Sequence, residues 1–589
     1  MGGDVTVTLT LEDGKITGCT AEGKDETPGI GTLALEQLPA QIAETGSIAV
    51  DGVSTATITS NAIKEAAAAA LTAAGLNADD YKIEVKADAT KAEDSTVDAD
   101  VVIVGAGGAG MTAAITAAAE GKSVVILESQ SMVGGNSVRA TGGMNAGKTV
   151  YQDENEFGES AGVEKTLKTA AEKYADNETI TALAKTVSEQ WAAYQANPTG
   201  YFDSVELMEL DTMIGGKGIN DPELVETLCA NSADAIDWLD EHGITLHNVS
   251  SFGGASVKRI HRPVNAEGKT VSVGSYMIPL LEENCEKAGV QILLNTTANE
   301  ILTDASGAAV GIKATGSTGE TVTVNAKAVV LTTGGFGANL DMVVEYKPEL
   351  KGFMTTNAPG IQGQGIEMAQ AIGAATVDMD QIQIHPTVEA NTAALITEGL
   401  RGDGAILINE EGQRFIDEVG TRDVVSAAEI AQTGSYSWLV VDQAMADASS
   451  VIQGYIKKGY TVTGATYEEL GKAMGVDAAA FAETMEKWNG YVEAKNDPDF
   501  GRTSFANPLD TAPYYAIKVT AGVHHTMGGL TINTNTEVLK EDGTVIPGLF
   551  AAGEVTGGVH GANRLGGNAV ADFTVFGRIA GKAASDYAA

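Results

Sequence analysis

The chain has 589 residues, too many for one hydrophobic core, and at roughly 150 residues per domain it should hold three or four units. Its 79 acidic and 37 basic residues leave a net charge of −42, which excludes nucleic acid as a partner, and no apolar run is long enough for a transmembrane segment. The three cysteines, Cys19, Cys229 and Cys285, form no CxxC or CxxCH motif, which excludes attached c-type haem and a thiolate metal cluster, so any redox chemistry belongs to bound organic cofactors.

The predicted elements open with residues 5–11, which alternate as a strand and turn at Glu12-Asp13-Gly14-Lys15. Residues 62–74 are an alanine-rich helix that Gly75 stops. This first unit, residues 1–90, is expected to be a small α+β domain, and residues 88–97 read as a polar linker. The start, Met1-Gly2-Gly3-Asp4, lacks the basic and apolar regions of a signal peptide.

A second unit opens with a buried strand at 100–104, a glycine turn at 105–110, a helix at 111–120 and a strand at 123–127 that ends at Glu128. This is a βαβ opening with the GxGxxG spacing of a dinucleotide site. Gly105 permits the tight turn, Gly107 lets backbone approach a pyrophosphate at the helix N-terminus, and Gly110 lets helix and strand pack closely. Glu128, about twenty residues on, would accept hydrogen bonds from an adenosine ribose. Strands running into glycine turns recur at 328–335 and 548–554. The dinucleotide domain is therefore expected in two pieces, 98–376 and 518–589, with an α+β capping domain inserted at 377–517. The fold class expected is α/β, with a Rossmann-like dinucleotide-binding domain, the inserted α+β cap and the small N-terminal α+β domain.

The segment SMVGGNSVRATGGMNA at 131–146 would let a flavin lie along its backbone. GAGGAG, Glu128, GGNS, ATGGMNA and the stretch GEVTGGVHGANRLGGNA at 553–569 resemble the soluble fumarate reductase flavoproteins, the FAD-binding fumarate reductase/succinate dehydrogenase type. The resemblance implies non-covalent FAD held by Gly105, Gly107, Ala109, Gly110 and Glu128. It adds Asn136, Ser137, Thr141, Gly142, Gly143 and Ala298, then Glu554, Asn568, Ala569 and Val570. Gln364 stands where the family often has an aspartate.

The family's substrate site maps onto His385 of an HPT triplet, Thr397 and Glu398 of LITEG, Arg401, Arg422 of a TRD triplet, His524, Arg564 and Gly567, with Phe252 packing on the substrate. By resemblance, His524 and Arg564 hold one carboxylate of a dicarboxylate, and His385 with Thr397 holds the other. An arginine fork suits a planar carboxylate. Arg422 would donate a proton to the carbon next to the one that receives hydride. Glu398 and Arg401 would relay its replacement.

The N-terminal DGVSTAT at 51–57 resembles the covalent FMN-attachment motif, with Thr55 in place of the usual glycine. Thr57 would carry FMN, esterified by a separate flavin transferase. Together these imply a flavin-dependent reductase of unsaturated carboxylates, related to flavocytochrome c fumarate reductases and urocanate reductases but without haem. The reaction the resemblance implies is fumarate to succinate, in anaerobic respiration. Electrons would enter at FMN from an external donor, quinol-linked or an extracellular electron-transfer protein. The FMN module implies an extracytoplasmic protein, secreted to the periplasm or cell surface, its export signal removed.

Other readings stay open: a reductase of urocanate, acrylate, cinnamate or itaconate, a flavin-carrying electron-transfer protein with a degenerate site, and an oxidase working in reverse. Urocanate reductases tend to have Tyr for His385 and Asp for Glu398, which argues against urocanate.

Overall fold

The computed structural model describes residues 5–12, 14–24, 31–50, 52, 57–83, 91–251 and 253–589. In the N-terminal unit, strands β1 (Thr6–Glu12) and β2 (Lys15–Glu22) pair antiparallel across the expected turn. Alternation sends Val7, Leu9 and Leu11 to one face of this hairpin. That face meets the apolar stripes of helices α1 (Gly31–Thr45) and α2 (Thr57–Ala73), where Leu38, Ile42, Ile63 and Leu71 are fully buried.

The main sheet is built on β3 (Ser95–Val104), which is longer than the expected strand. The polar stretch expected to be a linker is therefore strand over residues 95–97, while 84–90 lie outside the described residues. The glycine turn and α3 (Gly108–Ala119) lead to β4 (Val124–Leu127). Val101 to Val104 and β4 are buried on both faces, as a continuous apolar run in a parallel sheet requires. β5 (Gln291–Leu293) and β6 (Thr321–Leu331) flank this pair, so the order β6-β3-β4-β5 is all parallel. Between β4 and β5 lie five helices within 160–241, a region the sequence reading had left undivided. Their core is aromatic, with Phe157, Trp191 and Phe202 in mutual ring contact.

The stretch expected to form the cap holds β7 (Ile382–Glu389), a one-turn helix α4 (Gly399–Gly402), α5 (Arg422–Ile430), β8 (Tyr436–Asp442) and α6 (Ser450–Lys457), and β9 (Tyr514–Thr526) begins within it. β9 pairs with both β7 and β8. It runs unbroken across residue 517, so the expected boundary falls inside a strand. β10 (Val545–Ala551) then returns to the main sheet beside β6, and α7 (Asn568–Tyr587) packs on α3. That approach is close. A Cβ on Gly581 would stand 2.3 Å from the Ala113 carbonyl oxygen, which only glycine avoids. Among the described residues no helix is long and apolar enough to cross a membrane.

Candidate active site at the sheet edge and the cap

The βαβ turn has the backbone its glycines permit. Gly105 has φ +106°, and a Cβ there would lie 2.4 Å from the Thr332 oxygen. A Cβ on Gly110 would lie 1.9 Å from the Gly105 oxygen. Gly107, at the N-cap of α3, differs: nothing stands nearer its Cβ position than Ser137 Oγ at 3.7 Å, so this side of the turn is open. Glu128 accepts the Ala106 and Gln130 backbone N–H groups at 2.8 and 2.9 Å. Burial raises its pKa against those bonds.

This turn borders one cavity of about 1110 Å³ that continues beneath the cap. Gly105, Gly107, Ala109 and Glu128 line its start, followed by Asn136, Ser137, Thr141, Gly142, Gly143 and Ala298. Glu554, Gly567, Ala569 and Val570 line the middle, where the N-terminus of α7 opens. His385, Glu398, Arg422, His524 and Arg564 line the far end, with Leu395. Gly31 and Thr59 of the N-terminal unit reach the wall of the same cavity, as do Ser450 and Lys457 of α6.

Not every expected residue faces this space. Gly110 packs inside the turn. Asn568 is buried with its amide donating to Thr212 Oγ1 at 3.2 Å and its oxygen accepting from Asn145 at 2.7 Å. Thr397 is buried and accepts the Gly399 N–H at 3.2 Å. Arg401 sits behind Glu398, outside the cavity wall. Phe252, Asp51 and residues 53–56 lie outside the described residues, as does the side chain of Thr57, whose backbone starts α2.

The far end gathers cations in a chain that is otherwise strongly acidic. Arg422, the first residue of α5, points Nε and Nη2 at Glu398 Oε2, at 2.8 and 2.6 Å. Arg401 Nη2 lies 3.1 Å from the other oxygen of Glu398. Burial alone would raise the Glu398 pKa, but Arg422 and Arg401 outweigh it and hold it below the usual range. Burial, with Arg422 close by, draws Arg564 down to about 9.

The two histidines stand edge to face, ring centroids 4.9 Å apart. The Thr387 backbone N–H donates to His385 Nδ1 at 3.1 Å, so the neutral ring carries its proton on Nε2. Thr356 Oγ1 lies 2.8 Å from His524 Nδ1. Burial first, then Arg422, pushes both pKa values well below the ordinary histidine range. Both are neutral hydrogen-bonding groups near pH 7.

Sequence reasoning missed Gln383. Its oxygen accepts from Arg422 Nη1 at 2.8 Å, while its amide donates to the Asn563 side chain at 2.8 Å and the Arg564 carbonyl at 2.7 Å. It thereby ties the two arginines together. The available signal was weak. Gln383 precedes His385 by two positions, but the register of β7 shifts between Gln383 and Ile384, so alternation does not place it.

The cavity suits a dinucleotide flavin. The open side of Gly107 leaves room for a pyrophosphate against the α3 N-terminus, Glu128 stands in the wall nearby, and His525 Nε2 is buried without a partner.

Comparison with known proteins agrees. Residues 100–201 and 190–570 match the FAD binding domain family, and residues 1–72 match the FMN-binding domain family. The chain is 40% identical over 560 residues to an NADH:fumarate oxidoreductase of Klebsiella pneumoniae, covering 94% of itself but 54% of that protein, so it spans about half of that relative's length. It is 37% identical to a urocanate reductase of Eggerthella lenta, over 98% of this chain and 90% of the other. An open-conformation flavocytochrome c3 fumarate reductase shares the fold, with TM-score 0.64, 37% identity, and 84% and 79% of the two chains covered. The chain belongs to the fumarate reductase family of flavoproteins, with an FMN-binding domain preceding its FAD-binding domain.

Proposed function

We propose that the protein reduces the C=C bond of a small unsaturated dicarboxylate, fumarate to succinate, with electrons that enter at FMN. The observation that carries this reading is the far end of the cavity, where two arginines and two neutral histidines converge in an acidic chain. FAD, when bound, supplies the hydride.

The chain's own residues do the rest. Arg564 and His524 bind one carboxylate, and His385 Nε2–H binds the other, with Thr397 behind it, Phe252 packing on the substrate and the Gly567 backbone beside it. Two clamped ends fix the C=C bond in the cavity and polarise it, because cationic and N–H donors in a water-poor site stabilise negative charge that builds on a carboxylate. The cap closes the site against water. Arg422 donates a proton to the carbon that gains carbanion character. Glu398, bridging Arg422 and Arg401, is the path by which that proton returns.

Thr57 holds FMN covalently, attached by a flavin transferase. Gly31 and Thr59 in the wall of the shared cavity support electron entry from this unit, because they bring the FMN domain to the FAD cavity. The donor is an external one, quinol-linked or an extracellular electron-transfer protein, and the protein works outside the cytoplasm.

A relative named urocanate reductase matches nearly the whole chain, so the substrate must be tested against that class. The test is anaerobic turnover of FAD-loaded protein with reduced viologen against fumarate, urocanate, acrylate, cinnamate and itaconate. Strong preference for fumarate supports two working clamps. Preference for a monocarboxylate or an aromatic acid means the pocket around His385 and Leu395 serves another enoate.

A further inference from the structure

Helix α5 carries a second ionisable group that the reaction described above leaves idle. Glu429 stands seven residues after Arg422, about two turns along, and so on the same face. It is fully buried. Its Oε1 accepts a hydrogen bond from Ser437 Oγ of β8 at 2.5 Å, while its Oε2 has no hydrogen-bond partner. A carboxylate cannot stay ionised cheaply in such a place. Burial raises the Glu429 pKa to about 8, with Ser437 and Arg401 drawing it back only in part, so it holds a proton near neutral pH.

Arg401 is the matching half. It is buried on α4, and its Nε and Nη2 have no hydrogen-bond partner, although Nη2 lies 3.1 Å from Glu398 Oε1. The two side chains lie in each other's field. A proton-loaded carboxyl with a bare oxygen thus stands within electrostatic range of a guanidinium with unmatched N–H groups, with no hydrogen bond joining them at rest. That guanidinium already touches the carboxylate that holds Arg422. On the other side, the turn between Glu429 and Ser437 reaches solvent, with Ala431 and Thr433 to Ser435 exposed.

Resting on the enoate-reductase reading, we propose that Glu429 is the proton reservoir of this site, refilling Arg422 through Arg401 and Glu398 after each turnover and recharging from solvent past Ser437. Arg422 gives its proton to the product carbon and is left neutral. Glu398 then passes a proton from Arg401 to Arg422, and Arg401 takes one from Glu429 when a side-chain swing brings the two unpaired groups into contact. One O–H bond breaks at Glu429 and one N–H bond forms at Arg422, with no change of oxidation state. The transfer is downhill, because a neutral guanidine is a far stronger base than the Glu429 carboxylate. A proton from water then restores Glu429. Glu429 touches no substrate and acts only through Arg401.

The charged group acting on Glu429 from the surrounding elements is Arg401, and its hydrogen-bonding neighbour is Ser437. Glu418 and Glu398 act on Arg401 in turn. Arg564, at about 9, also titrates on the alkaline side, but it lines the cavity, so its loss raises KM and not the proton-return time.

The test uses Glu429→Gln in the flavin-loaded full chain, with reduced viologen and fumarate. Glutamine keeps the shape and the Ser437 contact but carries no transferable proton. We expect kcat to fall about tenfold or more, KM to stay unchanged, the solvent isotope effect on kcat to grow, and the alkaline limb of kcat near pH 8 to vanish. The infrared C=O band of a protonated carboxyl, titrating near pH 8 in the wild type, should be missing in the variant without any substrate present. Ser437→Ala serves if the glutamine variant does not fold: its kcat should fall partway, and the alkaline limb should move up, because the hydroxyl that lowers the Glu429 pKa is gone. Wild-type kcat, isotope effect and pH profile in folded Glu429→Gln would overturn the proposal while leaving the reductase reading intact. A wild-type protein that reduces none of the enoates overturns both.

Discussion

Two nitrogens of Arg422, Nε and Nη2, converge on a single oxygen of Glu398, at 2.8 and 2.6 Å. The arrangement leaves Arg422 Nη1 to Gln383 and leaves the second oxygen of Glu398 to Arg401. One carboxylate therefore orients the guanidinium at the cavity and connects it to the interior. Glu398→Gln keeps the shape but breaks proton return. Its kcat with fumarate should fall about 10²–10⁴-fold, with KM little changed, read by steady-state viologen assays. An unchanged kcat would remove Glu398 from the relay.

The pH dependence of binding separates the histidines from the arginines. His385 and His524 are held well below the ordinary histidine pKa, so neither changes charge between about pH 6 and 8. KM for fumarate should be flat across that range and rise above about pH 9, as Arg564 loses its charge. For stability the sign is the following. The unfolded histidines protonate below about 6.5 while the folded ones resist, so the unfolded state binds more protons there. The histidine contribution is full above about pH 6.5 and is lost as pH falls toward the depressed folded values. Thermal melts of wild type and His385→Asn should converge as pH drops below 6 or so, and parallel curves would contradict the depressed pKa.

The two glycines of the dinucleotide turn should behave in opposite ways. Gly110→Ala puts a Cβ 1.9 Å from the Gly105 oxygen and should cost about 1–3 kcal/mol or more of stability. Gly107→Ala has room, and its backbone is extended, so the flavin-free protein should be unharmed or gain about 0.4–1 kcal/mol. The same methyl faces the cavity and should weaken FAD binding. Melting curves and FAD titration of the two variants check this. Equal stability loss in both would mean that the open side of Gly107 has no ligand role.

Stability and flavin binding meet at Arg259, which is 1% exposed and held by Asp203 at 2.6 Å and Asp211 at 2.7 Å. It leads into the strand Ile260–Arg262 that pairs with Met144–Asn145, the end of the glycine-rich flavin segment. Removing one partner of a buried ion pair costs about 3–5 kcal/mol, so Asp211→Ala should lose that much in urea unfolding and bind FAD poorly.

Thr57→Ala should abolish covalently bound FMN while leaving viologen-driven fumarate reduction in place, because a small dye can reach FAD directly. Fluorescence of the denatured protein after gel separation reads the covalent flavin. Persistent fluorescence would refute Thr57 as the attachment point.

Much of this architecture was legible in the sequence, for identifiable reasons. Val101 to Val104 followed by three spaced glycines can hardly be anything but a buried strand feeding a nucleotide turn, and Glu128 falls at its expected place at the end of β4. His385 and Arg422 were legible through the family's short triplets, and His524 and Arg564 through its longer stretches, although β7, α5, β9 and the loop before α7 deliver them. What escaped was what only tertiary packing decides. Asn568 was expected to hold the flavin, yet at the start of α7 its amide turns inward to Asn145 and Thr212. Gln383 reached the site through a register shift in β7. Nothing in the sequence marks Glu429, and its burial against Ser437 follows from how β8 packs on α5, which no local pattern encodes.

The measurement that bears most directly on the central claim is stopped-flow mixing of photoreduced, FAD-loaded protein with fumarate, in wild type and in Arg422→Ala. The account predicts rapid fumarate-dependent flavin reoxidation in the wild type. In Arg422→Ala it predicts reoxidation slower by about 10²–10⁴-fold or more, with the dissociation constant for a non-reducible dicarboxylate such as succinate raised by no more than about tenfold. Reoxidation of Arg422→Ala at the wild-type rate would contradict it, because the proton would then come from another group and the Arg422–Glu398–Arg401 chain would be structural.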